Sequence, residues 1–578
     1  MKKFYTLIVL AIFAATTVTA QDVIAHGRGR IENVTDYSLP IVSHPKARHI
    51  GTRATAPLPC LGSPKIPIVL VQFSDLPFTV EETDSTVQAN YQKFFNGTGI
   101  EGQTYRVSGG SWGSVSDYYI EQSDSLFKPE FTVIGPVTLS SGYAYYGKDT
   151  GVHDVNINAF YSEACKLAMT TTDTSWSDFD NNGDGIIDLV FFIYAGYGQN
   201  DSKHNDANTI WPKESVNRLS VSVDDQTLTF GAYGCTCELY NNAQDGIGLV
   251  CHELSHGLGL PDLYDTSYSG WFGMDAFDLM DVGSYNGNGY QPAGYSAYEK
   301  WMAGWMEPIE LDKDGVSVDS LKPMSEGGRG YIIYNDGHRD EYYMVENRQK
   351  TGWDASLPGK GLMITHVDYD KVIWEENTPN TKVTANDLIY GYTKTNDHQR
   401  FTIFHADNTA SSYSSSTDLY PYGAKNALTN TSTPAASLYN KNTDGKKYMN
   451  KPITGITQNS DKTISFIFNG GAKTEAEDTT AVVPTDTTAV VVRGDTIFYE
   501  SFDKCSGTGG NDGNWSGNVA ASAFTPDNEG WEAYQNKSFG ANHCAKFGTT
   551  KVVGYATTPE FCIDGEARLT FKAAAWNT

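Results

Sequence analysis

The chain has 578 residues, and its 42 lysines and arginines stand against 69 aspartates and glutamates, a formal net charge of −27. A surface this acidic argues against binding to nucleic acid or to an anionic membrane, whose phosphates would repel it. The length exceeds that of one ordinary domain and predicts two to four.

The amino terminus has the pattern of an export signal. Lys2 and Lys3 precede the apolar run 4–15, and small residues lead up to Ala20. This is typical of a signal peptide, here residues 1–20, that is cleaved before Gln21. No later stretch is long and apolar enough to cross a bilayer. We therefore expect a secreted protein, associated with the cell surface at most, and not an integral membrane protein.

Residues 21–64 have mixed polarity and no clear period, which favours a propeptide or N-terminal arm. Cys60 is either an incidental cysteine, the favoured interpretation, or a thiolate that caps a metal in a latent form. Residues 65–310 then alternate between strand and helix patterns and are interpreted as a catalytic domain. The predicted strands lie at 66–73, 131–134, 189–195 and 228–233, and the last of these is expected at the sheet edge beside a substrate cleft. The predicted helices lie at 87–95, after a cap formed by Ser114 or Ser116, at 155–168, and, as an amphipathic helix, at 293–305.

The segment 180–188 has oxygen-bearing side chains at alternate positions and a glycine at the sixth position. This matches the first three-quarters of a calcium-binding EF-hand loop, although position twelve is Phe191 instead of glutamate. We expect a structural calcium site before a strand, with a metal-free polar turn as the alternative. The predicted ligands are Asp180, Asn182, Asp184, the carbonyl of Ile186, and Asp188.

The stretch 251–262 carries the strongest chemical signal. Apolar residues before it predict a buried helix that begins after Gly246, and on a helix His252 and His256 lie on one face, one turn apart. Two imidazoles so spaced can bind one zinc ion, and Glu253 between them is placed to take a proton from a water at the metal.

Gly259 can leave the helix with a positive φ, so that the chain turns back and delivers a third ligand. Asp262 has the spacing of the long metzincin motif, with aspartate in place of histidine, and Asp265 is a competing carboxylate. Downstream, Met280 is predicted to form the turn that supports the metal site from below. Tyr285 is a candidate for stabilising the oxyanion of a tetrahedral intermediate.

Several separate motifs give the region 66–470 a resemblance to the immune inhibitor A family of secreted bacterial zinc metallopeptidases. They are the stretches 68–75, 113–118, 180–188, 247–305, 341–349 and 357–362. The resemblance implies a secreted zinc endopeptidase that acts on proteins or peptides, with His252, His256 and Glu253 carried over by direct match. Asp262 is carried over less directly, because Asp265 lies close by.

Residues 311–470 alternate like strands and predict a β-rich subdomain, in which Glu346, Arg348, His366 and Asp368 are interpreted as a satisfied polar network or structural metal contacts instead of a second active site. Residues 471–495 are small, polar and acidic, as in a linker. Residues 496–578 resemble the adhesin-like β-sandwiches of secreted bacterial proteases, here partial, with a role in contacting cell surfaces or carbohydrate.

The predicted class is α+β: a metzincin-like zinc peptidase domain with a β-rich subdomain, a linker and a partial β-sandwich. Two alternatives belong to other functional classes. One is an adhesin or binding protein with an inactive peptidase domain, against which the intact Glu253 weighs. The other is a zinc hydrolase of a non-peptide amide, since the motif specifies the chemistry better than the substrate.

Overall fold

The structure is a computed structural model with two compact units, one formed by residues 36–481 and one by residues 1–35 with 482–578. The predicted signal peptide, residues 21–57 of the N-terminal arm and most of the predicted linker lie outside the described residues. No helix in the described part of the chain is long and apolar enough to span a membrane. The described residues are 58–79, 86–97, 113–150, 154–171, 174–201, 204, 206–215, 218–224, 226–311, 313–384, 393–409, 411, 413–471, 473–474, 500–502, 504–509, 519–528, 531–533, 538–549 and 556–559.

The larger unit mixes helices and strands throughout. Its helices are α1 (Val87–Asn96), α2 (Val115–Gln122), α3 (Tyr143–Tyr146), α4 (Ile157–Thr171), α5 (Ile247–Gly257), α6 (Ala297–Met302) and α7 (Lys371–Glu375). Its strands are β1 (Lys65–Gln72), β2 (Glu130–Thr138), β3 (Ile187–Tyr197), β4 (Lys213–Ser215), β5 (Leu219–Val223), β6 (Gln226–Tyr240), β7 (Ala243–Gln244), β8 (Ile309–Glu310), β9 (Val316–Leu321), β10 (Tyr331–Tyr334), β11 (Glu341–Arg348), β12 (Gly361–Asp368), β13 (Phe401–Ile403), β14 (Ile453–Gln458), β15 (Ile464–Phe468) and β16 (Lys473–Thr474).

The central sheet has the strand order β2-β1-β3-β6-β4, and β5 and β7 also pair with β6. The first four strands are parallel, and β4 runs antiparallel to β6. Nearly every residue of β3 is buried, as expected of a parallel strand covered on both faces. Phe191 packs in the same core as Leu254 of α5, while Phe192 packs in the core that contains Phe160 of α4. The two faces of β3 therefore pack in different cores, and α5 contributes Leu254 to the first and Leu249 to the second.

Two sequence predictions about this region are wrong. The segment 228–233 lies inside the sheet, because the long strand β6 pairs with β3 on one side and with β4 and β5 on the other. The helix predicted at 293–305 is only α6, and all six of its residues are buried, so it is not amphipathic. The helix begins only at Ala297, because the backbone before it is hydrogen-bonded to side chains of other segments. For example, Asp354 accepts from the Gly294 N–H at 2.8 Å.

The β-rich region contains a sheet of order β13-β12-β11-β10-β8 and another of order β14-β15-β9-β16. The strand signals at 331–334, 342–346, 362–367 and 463–468 are found as β10, β11, β12 and β15. Leu254 of α5, Trp301 of α6 and Tyr342 of β11 belong to one continuous core. The β-rich region therefore shares one hydrophobic core with the helix that carries His252 and His256.

The four polar residues considered as a second active site divide between separate groups of contacts. Arg348 binds both carboxylate oxygens of Asp354, at 2.7 and 3.0 Å, and contacts Glu346 at 3.2 Å. His366 pairs with Glu341 at 2.8 Å, and Asp368 pairs with Arg400 at 2.7 Å. These separate buried ion pairs agree with the interpretation as a structural polar network.

The described residues of the smaller unit form two short antiparallel pairs. They are β17 (Glu532–Ala533) with β20 (Ala556–Thr557), and β18 (Ser538–Ala541) with β19 (Cys544–Phe547). Glu500 ties the backbone here by accepting from the N–H groups of Asp527 and Asn528. The β-sandwich at 496–578 stays a prediction.

Candidate metal centre

The helix α5 begins at Ile247 directly after Gly246, as predicted, and all eleven of its residues are buried. Gly248 lets it approach the 3-10 helix at 282–289 closely, because a Cβ at this position would lie 1.9 Å from the carbonyl oxygen of Ser284. Any side chain there would push the two segments apart. The position of the histidine helix relative to the turn around Met280 therefore depends on this glycine.

The end of α5 is a sharp reversal. Gly259 has φ +96°, which confirms the predicted left-handed turn, and the N–H of Leu260 donates to the carbonyl of Ser255 at 3.2 Å. The chain then runs back alongside the last turn of the helix. This reversal is what brings Asp262 to the histidines.

His252, His256 and Asp262 meet at one point. Asp262 Oδ1 lies 3.1 Å from His252 Nε2 and 3.3 Å from His256 Nε2. All three residues are buried. Within the described part of the chain, they are the one group of three or more His, Cys, Asp or Glu residues whose ligand atoms lie within 4.8 Å of one another.

The outer nitrogen of each imidazole is bound to the backbone. His252 Nδ1 lies 2.9 Å from the carbonyl oxygen of Leu279, and His256 Nδ1 lies 2.8 Å from that of Leu260. Because a carbonyl only accepts, each Nδ1 carries a proton and donates it. This arrangement orients the ring and leaves Nε2 to serve as a metal ligand.

The cluster fits a divalent cation. The atoms that approach the buried Asp262 Oδ1 are the two imidazole Nε2 atoms, and no N–H of the backbone and no hydroxyl of a described residue donates to it. Burial lowers the pKa of His252, but its interaction with the Asp262 carboxylate and the charge of Glu253 raise it to about 9, so the local field favours positive charge. A proton on one Nε2 satisfies only two of the three ligand atoms, whereas a metal ion binds all three. Two nitrogens and one oxygen are a donor set that suits zinc, and three protein ligands are the number usual at catalytic zinc sites.

The structure separates the two candidate aspartates. Asp265 is occupied by its own loop, where it accepts from the N–H and hydroxyl groups of Ser267 and Ser269 and from the Trp271 N–H. Asp262 instead faces the histidines with one oxygen and accepts with the other from Asn377 Nδ2 at 2.6 Å. The geometry therefore supports Asp262 as the third ligand.

Glu253 lies on α5 between the two histidines. It is 5% exposed, and its carboxylate makes no hydrogen bond with another described residue. Burial raises the pKa of its carboxyl group, and the neighbouring His252 and His256 lower it. A buried carboxyl group without a hydrogen-bond partner among the described residues, next to the candidate metal ligands, is suited to exchange a proton with a water or substrate.

Met280 is fully buried, and its carbonyl accepts from the Leu263 N–H at 2.8 Å, next to Asp262. Its turn therefore supports the cluster through the backbone. The hydroxyl of Tyr285, the predicted oxyanion residue, accepts from Asn200 Nδ2 at 3.1 Å. Tyr264 lies two residues after Asp262, and burial together with the charges of Asp262 and Glu253 raises the pKa of its hydroxyl well above its usual range.

Three residues near the site were missed from the sequence. Tyr264 lies two residues after the stretch 251–262, so its closeness to the motif in the sequence could have indicated a role at the site. Glu214 on β4 lies close to Glu253 and Asp262, whose charges raise its pKa in addition to the effect of burial. Asn377 lies 115 residues beyond Asp262. Neither Glu214 nor Asn377 belongs to a motif, and only the fold brings them to the site.

In the predicted calcium loop, aspartate side chains accept hydrogen bonds from the backbone N–H groups of the same loop. Asp180 accepts from the N–H groups of Gly183, Asp184 and Gly185, and Gly183 and Gly185 have φ of +75° and +86°. Asp184 Oδ1 accepts from the Ile186 N–H at 2.8 Å. These bonds produce the tight turn on which the calcium prediction depends.

Asp188 lies at the inner end of this loop and is fully buried. Its Oδ2 accepts from Asn181 Nδ2 at 2.7 Å, whereas its Oδ1 has no hydrogen-bond partner. Burial, together with the charges of Asp180 and Asp184, raises the pKa of Asp188 to about 7. A cation bound in the loop would remove this energetic cost of burying a carboxylate.

Comparison with known proteins agrees with this geometry. Residues 61–306 match the family described as immune inhibitor A peptidase M6, catalytic domain. The chain is 27% identical over 289 residues to immune inhibitor A of Bacillus thuringiensis subsp. alesti, an alignment that covers 43% of this chain and 41% of the relative. It is 27% identical over 273 residues to the pre-pro-metalloprotease PrtV of Vibrio cholerae serotype O1, covering 41% of this chain and 29% of the relative.

The alignments thus cover less than half of either relative. The matched family region contains the whole cluster of His252, His256 and Asp262 together with Glu253. It also contains Met280 and the central sheet from β1 to β7. Residues 61–306 of this chain are therefore similar to the catalytic domain of the immune inhibitor A peptidases.

Proposed function

We propose that the protein is a zinc-dependent, metzincin-like endopeptidase that is secreted and hydrolyses peptide bonds in extracellular proteins. One observation carries this proposal: the ligand atoms of His252, His256 and Asp262 converge within 4.8 Å, and the buried Glu253 lies next to both histidines on α5. The match of residues 61–306 to a peptidase family supports it.

Zinc bound at this cluster would supply a Lewis acid that polarises the scissile carbonyl and lowers the pKa of a water molecule. The chain's own residues prepare that chemistry. His252 and His256 are held by carbonyls at their Nδ1 atoms, so that their Nε2 atoms keep a fixed direction. Asn377 holds the outer oxygen of Asp262 and thereby directs Oδ1 at the ligand position.

Glu253 is the proposed general base. Its carboxylate takes a proton from the attacking water and passes it to the nitrogen of the leaving amine. Burial favours the protonated state of the Glu253 carboxyl group, which forms between the two proton transfers. His252 and His256 favour its charged state, so that both states are accessible. Tyr264, and less directly Tyr285, are proposed to donate a hydrogen bond to the oxyanion.

The strand β4 forms the end of the central sheet next to the site, and its residue Glu214 is close enough to Glu253 to be affected by its charge. An extended peptide can add to such an edge through backbone hydrogen bonds. We therefore propose that substrate binds in an extended conformation along β4. This is consistent with a protein or peptide substrate and disfavours a small non-peptide amide.

Two further proposals come from the sequence. Calcium at the loop 180–188 is supported by the buried Oδ1 of Asp188, which has no hydrogen-bond partner. Secretion is supported by the signal pattern at 1–20 and by the "pre-pro" in the name of the Vibrio relative. Contact with cell surfaces or carbohydrate through residues 496–578 remains a prediction.

A casein digestion assay tests the function. The purified protein should cleave casein, lose this activity with a chelator and regain it with zinc. Glu253→Gln should keep native zinc content but lose activity by about 10²- to 10⁴-fold, since a general base is removed. Glu121→Gln is the control and should stay near native activity, because Glu121 lies outside the cluster and its carboxylate accepts from Trp353 Nε1 at 3.1 Å.

Two outcomes would overturn the proposal. A zinc-loaded protein that cleaves neither casein nor gelatin would favour the alternative of a binding protein with an inactive peptidase domain. Full activity in Glu253→Gln would remove Glu253 from the mechanism.

A further inference from the structure

Two buried carboxyl groups, those of Asp278 and Glu299, lie near the turn that carries Met280. Asp278 follows the 3-10 helix at 275–277, and Glu299 lies in the first turn of α6. Both residues are 0% exposed, and each carboxyl group is among the causes of the other's shifted pKa. Asp278 Oδ2 and Glu299 Oε1 are both buried, and no N–H or O–H group of a described residue donates to either. One proton held between these two oxygens would satisfy both.

The remaining oxygens of the pair are already used. Asp278 Oδ1 accepts from the Met280 N–H at 2.9 Å. Glu299 Oε2 accepts from the Ser296 N–H at 2.7 Å and from the Ser296 hydroxyl at 2.9 Å, as part of a capping box. One proton on Glu299 Oε1, donated to Asp278 Oδ2, therefore satisfies every oxygen of the pair.

The surroundings favour this single proton. Burial raises the pKa of both groups, and the charge of Asp278 raises the pKa of Glu299 further. The cation near the pair is Arg348, which is already bound by Asp354 and Glu346. The other titratable groups whose interactions involve the pair are tyrosines: Tyr118, Tyr119, Tyr295 and Tyr298. Two charged carboxylates at this distance in a dry interior would repel each other strongly.

The segment 278–280 reaches two parts of the metal cluster. The carbonyl of Leu279 accepts from His252 Nδ1 at 2.9 Å. The carbonyl of Met280 accepts from the N–H of Leu263, the residue after Asp262. A shift of Asp278 would therefore change the direction of one imidazole and the position of the loop that carries the third ligand.

We propose that Asp278 and Glu299 share one proton, and that this proton holds the segment 278–280 in the position in which it orients His252 and the Asp262 loop. The two carboxyl groups are positioning residues, because neither contacts the ligand atoms. The proposal deepens the proposed function and rests on it, since it takes His252 and Asp262 to be zinc ligands.

The shared proton determines how the stability of the folded protein depends on pH. Glu299 has a raised pKa in the folded protein, so between its ordinary value and its folded value the native state holds a proton that the unfolded chain releases. Its stabilising contribution is complete below the ordinary glutamate pKa and is lost as the pH rises through the folded pKa. The stability of the native protein should therefore decline toward alkaline pH.

The test uses Glu299→Gln, whose amide can accept from Ser296 and donate to Asp278 without a titrating proton. In chelator-treated protein, the melting temperature of the native chain should fall toward alkaline pH, and that of Glu299→Gln should fall less. The infrared band of a protonated buried carboxylic acid, present in the native protein at neutral pH, should lose intensity in the variant. Neither measurement depends on zinc or on activity.

The positioning role is tested by zinc affinity. Asp278→Ala should raise the zinc Kd by about 10- to 100-fold, the effect usual for groups that orient metal ligands, while Glu299→Gln should keep the native Kd. An unchanged acid band, or equal pH slopes in native protein and Glu299→Gln, would overturn the shared proton. An unchanged Kd in a folded Asp278→Ala would overturn the positioning role. A native protein that binds no zinc would overturn the proposed function instead and leave the infrared result intact.

Discussion

Asn377 binds Asp262 at two atoms. Its Oδ1 accepts from the backbone N–H of Asp262, and its Nδ2 donates to Oδ2 of the same residue, each at 2.6 Å. Asn377 follows α7 in the β-rich region, 115 residues beyond its partner. The β-rich region therefore contributes directly to the geometry of the candidate metal centre.

We expect Asn377→Ala to raise the zinc Kd by about 10- to 100-fold, because Asp262 would lose the two bonds that direct its Oδ1 at the ligand position. Equilibrium titration with a zinc-sensitive competitor dye measures this directly. The melting temperature of chelator-treated Asn377→Ala should stay close to that of the chelator-treated native protein.

Asn96→Ala is the matched control for Asn377→Ala. Asn96 makes the same kind of two-bond clamp, accepting from the Phe131 N–H at 3.0 Å and donating to the Phe131 carbonyl at 2.9 Å. It should lower stability and leave the zinc Kd unchanged. Equal losses of affinity in the two variants would assign the effect to general destabilisation.

The choice between two carboxylates can be measured by zinc content. Asp262→Asn should lose most of its bound zinc, because a neutral amide replaces the charged ligand between His252 and His256. Asp265→Asn should retain zinc, since Asp265 binds Ser267 and Ser269 in its own loop. Elemental analysis of both purified variants decides the matter, and zinc loss confined to Asp265→Asn would refute the assignment.

Calcium should raise the melting temperature of the chain with zinc held constant. Binding to the folded state alone adds about 2.7 kcal/mol when the ion is 100-fold above its Kd. Asp184→Ala should reduce the shift and leave the zinc content unchanged. Asp444→Ala is the control, because the exposed Asp444 makes the same turn contact two residues along the chain, to Lys446. An equal calcium response in all three proteins would place the ion elsewhere.

A second buried carboxyl group gives a separate pH prediction. Burial raises the pKa of Asp245 to about 8, against an ordinary value of 3.8. The folded protein thus keeps a proton that the unfolded chain loses, and this stabilisation disappears as the pH rises through about 8. In thermal melts from pH 5 to 9, Asp245→Asn should show a shallower decline than the native protein. Parallel declines would mean that Asp245 is charged in the folded state.

Much of the local structure could be predicted from the sequence, because it depends on short-range pattern. The apolar run at 66–73 is found as β1, and the capping box begins α2 at Ser114. The helix α5 begins after Gly246, and Gly259 has the predicted positive φ. In each case the determining interactions lie within a few residues of one another along the chain.

The ends and edges of elements were predicted less well. The helix at 293–305 was predicted too long, because its first residues are bound by Asp354 and Gln122 from other segments. The strand at 228–233 was placed at the sheet edge, although β4 lies beyond it. Strand order depends on pairing between distant segments, which a periodic pattern does not record.

The sequence by itself determined the ligand types and their spacing: two histidines four apart on a helix, a glutamate between them, and an aspartate after a glycine turn. Only the tertiary structure favours Asp262 over Asp265 as the proposed third ligand, because the loop uses the Asp265 side chain for its own hydrogen bonds. It also brought Asn377 to Asp262, and Glu299 to Asp278, across many intervening residues. The physical reason is that spacing within a helix is set by local geometry, whereas the orientation of each ligand is set by hydrogen bonds from segments that meet only when the core forms.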